Sequence, residues 1–195
     1  MLLRTELTLL LRARMAMFAL ILVALLSIAA VAAGMAEVAR QRDVIARIAP
    51  QQERDLAAIA SWVDQGKDPG NAAYYSFHAT WDAPEPLAFA SLGLRDVAPY
   101  ILRVRALGLE AQLYDGEAFN PELALPGRFD FAFVLVYLAP LFVIALFHDL
   151  VSGEREAGRL RMLDALPGRA RRLWVRRVAL RGGLLYAALA LPLLA

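Results

Sequence analysis

The sequence predicts a mainly α, polytopic helical membrane protein with a small, mostly helical extracytoplasmic subdomain between its first two spans. Two observations carry this reading. First, two runs are free of charge, Met15–Gly34 over 20 residues and Phe131–Phe147 over 17. A helix rises about 1.5 Å per residue, so about 20 apolar residues cross a bilayer and about 17 lie near the lower limit. Second, charge alternates around these runs. Residues 1–14 carry a net +2, residues 35–130 hold nine basic and fourteen acidic residues, and residues 149–181 hold nine arginines against four acids. Arginine-rich loops resist translocation, so residues 1–14 and 148–181 are expected in the cytoplasm and residues 35–130 outside it.

Residues 1–14 begin with Leu2–Leu11, a short apolar stretch punctuated by Arg4, Glu6 and Thr8, which reads as an interfacial helix. Residues 15–34 form the first span. A cleaved signal peptide competes for this segment, because Ala30-Val31-Ala32 offers a small-residue cleavage site. The apolar core exceeds the roughly 7–15 residues of a signal peptide, which favours a retained anchor.

Residues 35–130 form the subdomain, since about 95 residues is too long for a simple loop. Met35–Asp64 has a helical apolar stripe that Pro50 is expected to interrupt. Gln65–Gly70 has turn composition, Asn71–Pro86 reads as irregular or a short strand, and Leu87–Ala118 reads as helix.

Residues 131–147 form the second span, with a kink expected at Pro140. In residues 148–181, Ser152 is expected to cap a helix whose first turn holds Glu154 and Glu156, at the favourable end of its dipole. Leu160, Leu163 and Leu166 give this helix an apolar edge, and Pro167-Gly168 ends it. Arg169, Arg171, Arg172, Arg176 and Arg177 then lie along the interface as topology anchors, with Trp174 at headgroup depth. These arginines also suit anionic lipid. Residues 182–195 read as the start of a third, truncated span of a longer multi-span protein.

Composition excludes several chemistries. With no cysteine there is no disulfide, thiolate metal site or cysteine nucleophile. The single lysine, Lys67, precedes Asp68-Pro69 rather than opening a phosphate-binding helix, so the chain carries no P-loop of its own. His78 lies near Trp81 and Asp82, but the only other histidine, His148, is expected across the membrane, which makes a poor metal site. No cofactor, nucleic-acid partner or nucleophile–base set is expected, so the chain reads as a non-catalytic subunit.

The segment Gly93–Leu166 resembles ABC-2 type transporter permeases, specifically a bacterial subfamily with a large extracytoplasmic insert. The resemblance rests on Gly93-Leu94-Arg95-Asp96, Pro99-Tyr100, Asn120-Pro121 and Gly127-Arg128-Phe129-Asp130. It continues through Tyr137-Leu138-Ala139-Pro140-Leu141 and Ser152-Gly153-Glu154-Arg155-Glu156-Ala157-Gly158. Two positions depart from the pattern: Arg159 stands where the family usually has Thr, and His148 where it often has an aromatic residue. The resemblance implies a permease in a bacterial inner membrane, paired with a second permease subunit and powered by a separate ATP-binding-cassette ATPase. It also implies that Ser152–Pro167 docks on that ATPase, with Ser152, Glu154, Arg155, Glu156, Gly158, Leu160 and Leu163 as the contact.

A membrane-anchored sensor is the alternative, with two spans flanking an extracytoplasmic domain. A sensor predicts a continuous helix from the second span into a heptad-bearing coiled coil, whereas Gly153, Gly158 and Pro167-Gly168 punctuate this segment and a third apolar run follows.

Overall fold

The computed structural model describes residues 2–96, 100–105, 122, 126–165 and 170–194. The chain is mainly helical and divides into two compact units, one built from Met1–Ala32 and Phe129–Ala195, the other from Ala33–Arg128. Among the described residues, three helices are long and apolar enough to cross a membrane.

In the first unit, α1 (Leu2–Arg12) is followed by the first part of α2 (Arg14–Asp64). The second apolar run starts with α4 (Phe131–Phe133), widens into a π segment (Val134–Leu138) and continues as α5 (Ala139–Phe147). Asp130 caps this run, its side chain accepting the Phe133 N–H at 2.8 Å. A kink is expected at Pro140; the local feature there is a π segment that ends just before the proline. Pro140 supplies no N–H and its ring crowds the carbonyl one turn back. Widening the preceding turn, where the Ala139 N–H reaches the Val134 carbonyl, accommodates it.

Three corrections fall in this unit. The helix does not restart at Ser152: α6 (Asp149–Glu156) begins three residues earlier, and Ser152 sits inside it, its hydroxyl donating to the His148 carbonyl at 3.0 Å. With His148 in helical conformation there is no gap for a cap to close. The expected single helix after Ser152 is two: α6 ends at Glu156, Gly158 turns the chain at φ +68°, and α7 (Leu160–Asp164) follows. A left-handed φ suits glycine and satisfies the last carbonyls, here through Gly158 N–H to Arg155 and Arg159 N–H to Glu154. The expected stop at Pro167-Gly168 lies outside the described residues. Finally, the helix that carries the third apolar run does not begin with that run at Gly182. It is α8 (Ala170–Leu194), 25 residues long, because nothing between Ala170 and Arg181 breaks a helix. Arg171, Arg172, Arg176 and Arg177 thus share one helix with the apolar run.

Val23 and Ala30 of α2, Ala139 and Leu146 of α5, and Leu185 and Leu189 of α8 form the buried core of this unit. Alanine at such contacts lets helix backbones approach closely.

In the second unit, α2 runs on through Pro50 to Asp64 instead of breaking there. A proline removes one backbone bond, and Gln51, Gln52, Glu53, Leu56, Ala57 and Ala58 after it are strong helix formers. Then come α3 (Pro69–Tyr75), capped by Asp68, and β1 (His78–Trp81). Short 3-10 turns at Ala88–Ala90 and Gly93–Asp96 precede β2 (Ile101–Val104). The strands pair antiparallel, His78 opposite Val104 and Trp81 opposite Ile101. The helix expected across Leu87–Ala118 is therefore replaced by strand at Ile101–Val104, where two β-branched residues meet an available partner strand; residues 106–118 lie outside the described residues. Gly34 lets the 3-10 turn pack on α2: a Cβ there would overlap the Phe89 carbonyl.

Candidate functional site

The first unit gathers its charges where α1, α6 and α8 come together. Arg177 of α8 donates Nη1 to Glu154 of α6 at 2.8 Å, and its Nε reaches both carboxylate oxygens of Glu6 on α1 at 3.1 and 3.2 Å. Glu154 also accepts from Arg159 Nε at 2.8 Å, on the far side of the Gly158 bend. One turn along α8, Arg181 pairs with Asp149 at 2.6 Å and donates to the Leu146 carbonyl at the end of α5. These residues line a cleft of about 250 Å3 together with Leu9, Leu10 and Gly153.

The arrangement explains why Glu154 is acidic. It lies in the last turn of α6, where the helix dipole disfavours a negative charge, so the dipole explanation fails and the arginines supply the reason. Glu154 lies beyond the apolar run, and the hydrogen bond from Arg159, joined by that from Arg177, holds its carboxyl below the usual range against the opposing effect of burial.

The residues expected to contact a partner separate into two groups. Glu154 is occupied inside the unit, as is Arg177, whose guanidinium also sits 5.4 Å from the Trp174 ring centre. Arg155, Glu156 and Gly158 are exposed, and so is Met162 beside them on α7; Leu160 and Leu163 are half-buried. Among the anchors, Arg172 and Arg176 are exposed. Arg171 lies within α8, and Arg169 lies outside the described residues. Pro140 stands at the π-to-α junction.

Sequence reasoning missed Glu6, Asp149 and Arg181 as members of this cluster. Glu6 is the only acid in residues 1–14, and Arg177 and Arg181 stand one helical turn apart, which is the signal that was available.

The second unit has its own polar cluster. Glu37 is buried, takes a bond from Arg40 Nε at 2.9 Å and from Gln41 at 3.1 Å, and pairs with Arg128 at 2.7 Å. Arg40, then Gln41 and Arg128, hold its carboxyl below the usual range despite burial. Arg95 donates to Gln41 at 3.3 Å and to Asp82 at 2.6 Å. Arg95 and Arg128, both members of the motifs quoted above, thus converge on one turn of α2. Among the described residues no group of three or more histidine or acidic side chains is placed to hold a metal ion.

Comparison with family models, curated proteins and solved structures finds no match to this chain.

Proposed function

We propose that the chain is the membrane subunit of an ABC-2 type permease in a bacterial inner membrane, moving its substrate with ATP hydrolysed by a separate ATP-binding-cassette subunit. The observation that carries this reading is the α6–Gly158–α7 bend. Two short, charged helices follow the second apolar run; Arg159, just ahead of α7, pairs with Glu154 of α6, and Glu154 is tied through Arg177 of α8 to Glu6 of α1. An external push on the bend would reach both helices through Arg177, as coupling to an ATPase requires. Arg155, Glu156 and Met162 form the exposed contact in this reading, and a second permease subunit and membrane lipid complete the assembly. Residues 35–130 face outward under the charge pattern.

The sensor alternative draws on one observation, a cleft in the second unit of a size suited to a ligand. It requires a continuous signalling helix after the second span, and the break at Gly158 disfavours that. Capture of an ATP-binding-cassette ATPase from native membranes by the tagged chain tests the permease reading. A chain that captures none, but whose ligand occupancy alters a cytoplasmic signalling partner, supports the sensor.

A further inference from the structure

The cleft in the second unit has a volume of about 800 Å3 and opens between α2 and the β1–β2 ribbon. Val44, Ile48, Ile59 and Trp62 of α2 form one wall, and Phe77 and Ile101 face them. Small-molecule sites are commonly clefts of roughly 300–1,000 Å3 with apolar walls and a few placed polar groups. The polar groups here are unevenly committed. Gln52 Oε1 accepts the Ala79 N–H at 2.6 Å, which occupies a strand-edge donor that an added peptide strand would need. Arg47 is paired with Asp43 at 3.0 Å, and Asp55 accepts from Gln51 at 3.3 Å.

Arg103 differs from these. Its guanidinium lies 4.1 Å from the centre of the Phe77 ring, and that of Arg105 lies 4.5 Å from the same ring. Among the described residues no carboxylate pairs with Arg103, although it lines the cleft. Arg103 thus puts a positive charge on the wall of a largely apolar cleft, within a segment that is acidic overall. We propose that this cleft binds a small amphipathic anion, its apolar body against Ile48, Ile59 and Trp62 and its carboxylate-type head on Arg103. Stacking on Phe77 holds the planar guanidinium in place, and an arginine is well suited to a bidentate oxyanion. The inference stands on the cleft alone and does not depend on the permease reading.

The test uses the full chain in lipid nanodiscs with Trp81→Phe and Trp174→Phe, which leaves Trp62 as the only tryptophan. Octanoate and octanamide serve as probes of equal chain length that differ in charge. Octanoate is expected to shift Trp62 emission saturably. Octanamide, and octanoate on an Arg103→Gln chain, are expected to bind about tenfold or more weakly, as loss of a charge-assisted contact entails. Arg103→Lys keeps the charge but not the planar fork, so it should recover only part of the octanoate response, and Arg47→Gln should change that response less than Arg103→Gln does. A missing or non-saturating octanoate response overturns the proposal. So does an equal response to both probes, or an octanoate affinity unchanged by Arg103→Gln in a chain that keeps its helical content.

Discussion

Arg177 and Glu154, 23 residues apart in sequence, meet at 2.8 Å with their side chains only 14% and 13% exposed. Glu6 also pairs with the same guanidinium, so a single arginine bridges two acids from two different helices. Removing it leaves both carboxylates without their shared partner, whereas removing Glu6 leaves Arg177 with Glu154, and removing Glu154 leaves it with Glu6. Arg177→Gln is therefore expected to destabilise the chain most, by about 1–3 kcal/mol for a partly buried charge pair, and either single Glu→Gln change less. Thermal unfolding of the purified chain in detergent checks the order. A double-mutant cycle on Arg177 and Glu154 should show non-additivity, because the two residues are in direct contact.

The same cluster predicts a pH dependence of definite sign. Arg159 first, and Arg177 with it, hold the Glu154 carboxyl below the usual range. A carboxylate with a lowered pKa in the fold stabilises it above the unfolded value, about 4.3, and loses that contribution as pH falls through the lowered one. The stability gap between the parent and Glu154→Gln should thus be full at neutral pH and narrow in acid. Unfolding midpoints of both chains from pH 7 down to about pH 3 measure it, and a gap that stays constant contradicts the assignment.

The long apolar helices were legible in the sequence because absence of charge over a fixed length is a local property. Glu6 and Arg177 are 171 residues apart, and nothing local to either names the other. At Ser152 the local signal misled: a serine before two glutamates has the appearance of a capped first turn, yet the helix is already running when it arrives at His148. Gly158 carried the correct information, as a left-handed stop eleven residues after the end of the apolar run at Phe147, but was outweighed by the leucines beyond it. In the second unit, Ile101–Val104 has too few residues for helical and strand periods to be told apart; the paired strand His78–Trp81 decides it.

Two glycines should respond oppositely to alanine. At Gly34 a Cβ would collide with the Phe89 backbone, which cannot rotate away, so Gly34→Ala should displace the Ala88–Ala90 turn at a cost of about 1–3 kcal/mol. At Gly183 in α8 a Cβ meets nothing, and alanine there should be neutral or stabilising by up to about 1 kcal/mol through helix propensity. Limited proteolysis between Trp81 and Tyr100 should accelerate only in Gly34→Ala.

Orientation can be tested directly in a chain that has no native cysteine. Ser91 and Ser152 are both exposed, one in each unit. In intact cells an impermeant thiol reagent should label Ser91→Cys and spare Ser152→Cys, as the charge pattern requires. The reverse labelling would turn the assigned topology over.

The most direct test of the permease reading is ATPase capture through the Gly158 bend. The tagged chain, extracted from native membranes in mild detergent, should co-purify with an ATP-binding-cassette ATPase identifiable by mass spectrometry. Glu156→Arg combined with Met162→Glu alters two exposed side chains on either side of the bend and leaves the Arg177 cluster intact. Desolvated charge contacts at an interface are worth about 2–5 kcal/mol, so this variant should insert normally and lose the ATPase. No ATP-binding-cassette ATPase in the parent eluate, or undiminished capture by the double variant, would contradict the account.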